Sequence, residues 1–494
     1  MSGPGGPAWD GRKLVLAVID GVAPAMLERA MASGQAPVLQ RLADAGTYVG
    51  GMIAGFPSVT PVCTASIVTG AGPADHHVPA MCWYHRGEAR YVDYGSSFQA
   101  SRTFGIQRSL TDTIYNLNLA HLSHGTPTVF ERLDDAGLRT AGTTFLMYRG
   151  RHRHEAAGET GLARLVTSTL FRHAVYGPRE FFYADLFASR ETGCRSQLGL
   201  PGARDEHSGC VSAYLAQHGL FDFLLLSLPD NDTASHKSGP EAQVAAIAAA
   251  DRQLRRVMDA AGGGVDAFLD GHAVIVVSDH AQVPVTERSP LLDALGPEGV
   301  LQPNDPRPDE ARIAVCPSQR SAMVYALREE DRDAAFARRI AGRLDDVAGI
   351  DVVAWLDGEE AAVRGGGREL RFAPGSAVAD AGGERWDLDG DLVVLDAVAQ
   401  DGAVRTPTYP DALARLWSAL TCPTSGEVLV SARPGAEFVD WGGIDHLGGG
   451  SHGALHADDA NGILVAAGLD GLEPREQWTL RDVLPLVLRH FGLN

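Results

Sequence analysis

Lysine is almost missing from this chain of 494 residues: only Lys13 and Lys237 occur, so arginine supplies nearly all of the 42 basic side chains. Basic charge as a whole is scarce. Set against 62 acids it leaves a formal net charge of −20, which excludes a nucleic-acid duplex as partner, because phosphate-backbone binding needs a basic surface. An anionic small molecule would therefore require a locally positive site, built from metal ions or clustered arginine. Long apolar runs are lacking too. None reaches the roughly 20 residues that span a bilayer, and the N-terminal "MSGPGGPAWDGRK" holds no apolar signal core. No membrane partner is expected. The six cysteines (Cys63, Cys82, Cys194, Cys210, Cys316, Cys422) show no C-x-x-C spacing, and they read as reduced thiols in a cytoplasmic protein.

What is present is the composition of a globular protein, 45% hydrophobic and 21% charged. The length accommodates two to four domain-sized units or one elaborated α/β enzyme. Four apolar runs read as buried parallel strands: "KLVLAVID" (13–20), "FDFLLLSL" (221–228), "HAVIVVSD" (272–279) and "GILVAAG" (462–468). They are continuous rather than alternating, as expected where helices cover both sheet faces. Helical patterns at 36–46 and 241–264 end in glycine, and 126–148 reads as helix, turn and strand. Strands alternating with helices predict a doubly wound α/β sheet. Residues 285–440 differ, with strand-like "SAMVYAL", "DVVAWL", "DLVVLDAV" and "EVLVSA", one amphipathic helix near 331–347, and Gly- and Asp-rich segments at 364–390. They read as an inserted α+β cap domain, which divides a catalytic core into 12–284 and 441–494.

In open α/β sheets ligands gather at the carboxyl ends of the strands, and here those ends carry metal-binding residue types. Asp20 closes the first run; Asp230, Asp232 and His236 follow the second; Asp279 and His280 close the third; His452 precedes the fourth. One such Asp commonly caps a turn, but four coincidences at one edge point to a site. Imidazole nitrogen with carboxylate oxygen suits Zn²⁺ or Mn²⁺. Two such ions, roughly 4 Å apart, serve in-line phosphoryl displacement. Thr60, in "GFPSVTPVCTASIVTG" ahead of a helix-like segment, is a candidate nucleophile at a helix N-terminus. On local sequence, Ser58 or Thr60 is equally an N-cap.

With these residues in view the chain resembles the alkaline phosphatase superfamily, in its branch of type I phosphodiesterases and nucleotide pyrophosphatases. The resemblance rests on "VIDG", "VTGAGPADH", "DTASHKSGP", "VVSDH" and "GSHG", in that order, from residue 20 to 453. It implies an alkaline-phosphatase-like α/β/α sandwich with a central mostly parallel sheet. By the same resemblance Asp232, His236 and His452 would hold one divalent ion, and Asp20, Asp279, His280 and the Thr60 oxygen the other, most simply Zn²⁺, with Mn²⁺ as the alternative. The spacing in "D-x-x-x-H-x-x-G-P" selects Asp232 with His236, one helical turn apart, and leaves Asp230 and Asn231 to orient the turn. Thr60 would attack phosphorus and form a covalent phospho-threonine, later hydrolysed by water.

The sequence also departs from the pattern. The family's Asn that holds a phosphate oxygen falls at Met81, His77 stands for a usual Gly, and Pro61 replaces the aromatic residue after the nucleophile. Trp83 and Tyr84 are alternative stacking faces for a nucleotide-like substrate. Arg149 and Arg151 in "MYRGRHRHE" resemble a Lys-x-Arg pair that grips phosphomonoesters in some threonine-dependent alkaline phosphatases. Loops around 80–125 and 147–210 are expected to choose the substrate. Asp445, His446, His456, Asp458 and Asp459 near the last motif are candidates to support the metal ligands from behind, but most of them read as solvated loop residues. The first reading is a phosphodiesterase or nucleotide pyrophosphatase acting on a small-molecule phosphate ester. A phosphomonoesterase and a phosphonoacetate-hydrolase-like C–P hydrolase are the alternatives, with a non-catalytic metal- or phosphate-binding relative ranked last. Oligomeric state stays open.

Overall fold

A computed structural model describes residues 9–156, 173–183, 186–196, 203–305, 307–469 and 472–493, so parts of the loop region 147–210 lie outside the described residues. Its central sheet has nine strands: β1 (Lys13–Ile19), β2 (Thr47–Ile53), β3 (Thr140–Thr143), β4 (Glu180–Tyr183), β5 (Phe187–Ala188), β6 (Phe223–Leu228), β7 (His272–Val277), β8 (Asn461–Ala467) and β9 (Trp478–Thr479). Their order across the sheet is β9-β2-β8-β7-β1-β6-β3-β4-β5. Strand β1 lies at the centre and pairs in parallel with β6 and β7, while β3 and β4 extend the parallel run. The expected α/β/α sandwich with a mostly parallel sheet is what the chain forms.

The continuous apolar character of the central strands follows from burial on both faces. Val15, Ala17 and Ile19 of β1 point to one side, where they meet α1 (Pro24–Ala32), α2 (Pro37–Ala45), α4 (Ala203–Gln217) and α6 (Gln243–Gly262). Leu14, Leu16 and Val18 point to the other side, toward α3 (Thr60–Thr69) and α7 (Val483–His490). Residues alternate faces because successive Cβ atoms do. Helix α3 is buried from Pro61 through Thr69, which explains why its sequence is apolar all round. Between α4 and α6 lies the short helix α5 (Asp230–Ser238).

A second nine-stranded sheet is built from residues between Ile313 and Ala432. It is almost wholly antiparallel, with the helix Ala334–Leu344 packed on it through Phe336, Ile340 and Leu344. One apolar cluster runs from the central sheet into this second sheet, joining Leu16 and Val18 to Phe372, Trp386 and Leu413. Behind the junction, Arg320 and Asp459 form a salt bridge of 2.9 Å with both side chains fully buried. Asp459 is therefore a buried structural anion rather than a solvated loop residue.

Three further expectations are corrected. The run 462–468 is not a parallel strand, since β8 pairs antiparallel with both β7 and β2. Residues 392–395 of "DLVVLDAV" form a single 3₁₀ turn because Asp391 caps it through the Val393 amide. Cys194 and Cys210 are joined by a disulfide, so only Cys63, Cys82, Cys316 and Cys422 are free thiols. No helix among the described residues is long and apolar enough to cross a membrane.

Two outcomes are expected. Denatured without reductant, the protein should expose four titratable thiols, and six after reduction. Asp459→Ala, which strands the buried Arg320 guanidinium, should cost about 3–5 kcal/mol in urea unfolding.

Candidate metal centre

The register of the central sheet brings the predicted residues together. Ile19 is paired with Leu228, and Val18 with Val277, so the three parallel strands end at one level. Asp20, the start of α5 and Asp279 consequently emerge side by side. His452 reaches the same edge for the opposite reason: β8 is antiparallel, so the loop before it, not after it, lies at the carboxyl ends of its neighbours. Asn231 donates its side-chain amide to the Asp20 carbonyl (2.7 Å), and Asp230 is held by Arg204 (2.9 Å) and the Asp205 amide (2.9 Å). Both orient α5, as expected, and Asp232 and His236 are left facing the cluster.

The side chains converge tightly. Asp232 Oδ1 lies 3.2 Å from His236 Nε2 and 3.6 Å from His452 Nε2. His280 Nε2 lies 3.5 Å from Asp20 Oδ1, 3.4 Å from Asp279 Oδ2 and 3.3 Å from the Thr60 hydroxyl. Two compact ligand groups result, Asp20–Asp279–His280 and Asp232–His280–His452, each with donor atoms within 4.8 Å of one another. His280 stands between them, its ring stacked on that of His452 at 3.6 Å.

All three imidazoles are oriented alike. Nδ1 of His236, His280 and His452 faces a backbone carbonyl, of Gly450 (2.8 Å), Ala281 (3.2 Å) and Ser58 (2.8 Å) respectively. A carbonyl can only accept, so each Nδ1 carries a proton and Nε2 is the nitrogen turned to the acids, free to ligate once it gives up its own proton. That is the tautomer a ligating histidine needs, fixed by a bond outside the site.

The acids supply the opposite sign in excess. Burial, reinforced by Asp279 and Asp232 beside it, pushes the Asp20 carboxyl well above its usual range. Burial likewise raises Asp279, against the pull of His280. For Asp232 burial is outweighed by the imidazoles of His236, His452 and His280, which hold it low. His452 is driven well below the ordinary histidine range by burial and by His280. Asp20 Oδ1 and Asp279 Oδ2 are buried without a hydrogen-bond donor. Buried anions without partners are costly, and divalent cations are the groups that would remove the cost. The donor set of three imidazole nitrogens and three carboxylates suits Zn²⁺ or Mn²⁺.

Thr60 occupies the first turn of α3, where Pro61 sacrifices no hydrogen bond because that amide would have no helical partner. The N-cap is Val59, without a side-chain cap bond. Ser58 turns its hydroxyl to the Ala454 carbonyl (2.7 Å). The capping alternative is thus overturned for both, and Thr60 directs its hydroxyl into the cluster.

The expected substrate-side residues fare differently. Arg149 is buried, and its guanidinium is spent on Glu131 and on the carbonyls of Leu122, Ser123 and Thr126. Arg151 pairs with Glu131 and Asp135. Both clamp a loop and are not poised for phosphate. Trp83 is buried and donates to the Tyr94 hydroxyl (3.0 Å), while Tyr84 packs against Tyr91 and Tyr325. Neither offers an open stacking face. Met81 is buried in the same apolar cluster. Residues that sequence reading missed include Gln282, which donates its amide to Asp232. Glu437 was missed as well, whereas His446, named as a candidate support for the ligands, has its ring 4.1 Å from that of His236. The alternation from His280 to Gln282 was a legible signal; nothing local marks Glu437.

The chain matches the family model described as Type I phosphodiesterase / nucleotide pyrophosphatase over residues 14–363. No curated protein matches it significantly. Among solved structures it is similar to phosphonoacetate hydrolase from Sinorhizobium meliloti 1021 in complex with phosphonoformate, at 16% identity and TM-score 0.57, covering 99% of this chain and 100% of that one. It is also similar to human ectonucleotide pyrophosphatase / phosphodiesterase 5, at 12% identity and TM-score 0.54, covering 98% and 96%. The murine counterpart, an inactive threonine-to-alanine variant in complex with AMP, aligns at 11% identity and TM-score 0.54 over the same shares. At these identities the likeness speaks for the fold.

Asp279→Asn separates repulsion from ligation. The metal-free variant should melt higher than metal-free wild type, by roughly 2 °C for each ~1 kcal/mol of relieved repulsion. Its gain in Tm on adding Zn²⁺ should shrink, because the site has lost an anionic donor. A variant that melts lower without metal and gains as much with it would show that Asp279 is a structural acid.

Proposed function

The chain belongs to the type I phosphodiesterase / nucleotide pyrophosphatase family, hydrolases of phosphoric ester and phosphoanhydride bonds, and from that premise we propose that it is a two-metal phosphodiesterase or nucleotide pyrophosphatase working through Thr60. The observation that carries the reading is the Thr60 hydroxyl, 3.3 Å from His280 Nε2 at the first turn of a buried helix, among three carboxylates and three imidazoles.

Asp20, Asp279 and His280, with the Thr60 oxygen, would hold one cation; Asp232, His236 and His452 would hold the other. When bound, such cations lower the pKa of an oxygen nucleophile and offset the charge that develops on phosphoryl oxygens. The chain's own part is placement. Helix α3, buried from Pro61 through Thr69, holds Thr60 at its first turn with the hydroxyl directed to His280. In the first step Thr60 gives up its hydroxyl proton, the Oγ1–phosphorus bond forms, and the bond from phosphorus to the leaving oxygen breaks, the departing oxygen taking up a proton. In the second, water displaces Thr60 from phosphorus and restores the hydroxyl. The positive end of α3 favours the negative charge on the nucleophile. We read the second sheet, within the segment 285–440, as the cap that shapes the substrate mouth.

The phosphomonoesterase alternative loses the support of Arg149 and Arg151, which are engaged by Glu131 and Asp135, and keeps only that of Met81 in the place of the family's Asn. The C–P hydrolase reading keeps one specific support, a structural likeness to phosphonoacetate hydrolase over the full length of both chains. Rates on an aryl phosphodiester, an aryl phosphomonoester and phosphonoacetate, with Zn²⁺ or Mn²⁺, separate the three. The diester is expected to be fastest, and Thr60→Ala should lower its turnover on the order of 10³-fold or more while retaining metal. Faster release of phosphate from phosphonoacetate would replace the first reading with the second. Full activity in Thr60→Ala would remove the covalent step.

A further inference from the structure

Glu437 is 1% exposed, and its carboxylate accepts three hydrogen bonds from one short loop. Oε2 takes the His446 backbone amide at 2.6 Å, while Oε1 takes His446 Nδ1 at 2.7 Å and the Ser451 hydroxyl at 2.6 Å. One buried anion thus grips both ends of the segment 446–451. Nothing in a surface loop requires a buried carboxylate for closure, and such a group is tolerated only when its bonds are complete.

That segment supports two of the candidate ligands. The His446 ring packs on His236 at 4.1 Å. The Gly450 carbonyl receives the Nδ1 proton of His236 at 2.8 Å, and His452 directly follows Ser451. The loop also lies flat on the end of α5: a Cβ at Gly449 would come within 2.0 Å of the His236 carbonyl. Any shift of 446–451 therefore moves the acceptor that sets the His236 tautomer, the wall against its ring and the backbone of His452 together.

We propose that Glu437, acting through His446 and Ser451, is the positioning residue for the cation site of Asp232, His236 and His452, and that it does not serve the site of Asp20, Asp279 and His280. The inference rests on the two-metal reading above. Partners outside the ligand sphere typically change metal affinity by 10- to 100-fold when removed, and an effect confined to one of two sites is the signature.

The test is Zn²⁺ titration of the metal-free protein against a competing chelator, for wild type, Glu437→Gln, Ser451→Ala and His446→Phe, with the melting temperature of each metal-free form measured in parallel. Gln keeps the size of Glu but replaces one acceptor by a donor facing donors; Ser451→Ala and His446→Phe each remove a single bond, and Phe keeps the ring. In Glu437→Gln one of the two Zn²⁺ affinities should fall 10- to 100-fold and the other stay within about 3-fold of wild type. The single-bond variants should show smaller falls at the same site. Equal weakening of both sites, or wild-type affinity at both with only a lower metal-free melting temperature, would overturn the proposal and leave Glu437 a structural residue. A wild-type protein that takes up no Zn²⁺ would overturn the two-metal reading itself, which is a separate outcome.

Discussion

Three aspartates cannot share one largely buried edge of a sheet, all ionised, unless something positive stands among them. Strands β1, β6 and β7 end in register, and each delivers an acid to one point. The core behind that point is apolar, and Asp20 Oδ1 and Asp279 Oδ2 are buried there without a donor. Much of the surrounding architecture answers this constraint. Histidines lie between the acids, each fixed by a carbonyl, and two carboxylate oxygens still lack donors.

The constraint also explains features that look unrelated to it. Gly21 has φ +70 and a side-chain position 3.3 Å from Asp232 Oδ1; a Cβ there would crowd an acid that must keep its place. The glycine run before Ser451 lets a loop lie directly on α5. The antiparallel direction of β8 turns what would be a distant histidine into a neighbour of Asp232. Behind this edge, the Arg320–Asp459 pair anchors the second sheet to the segment between His452 and β8, since Arg320 donates its amide to the His452 carbonyl at 3.1 Å. Fold and site are thus held by the same joints.

Arginine shows how composition can mislead. In a chain with two lysines, Arg149 and Arg151 looked like the positive groups an anionic substrate would need. Burial decided otherwise: a guanidinium has five donors, and Arg149 found Glu131 and three carbonyls close by. Trp83 and Tyr84 went the same way, into the aromatic packing with Tyr91, Tyr94 and Tyr325. A residue type announces what it can bind, whereas its neighbours in space determine what it does bind.

Apolar runs closed by acids and imidazoles were legible from Asp20 to His452 because a buried strand must be continuous and a strand tip is where charge can begin. Sequence alone therefore determined the fold class, the central strands and the chemical character of the site. It could not determine strand direction, which separates β8 from its neighbours, because apolar continuity is the same read either way. Nor could it show that Cys194 meets Cys210, that Glu437 closes a loop nine residues ahead, or that Thr60 rather than Val59 enters the first turn of α3. Those depend on how side chains and backbone meet in space, and only packing decides that.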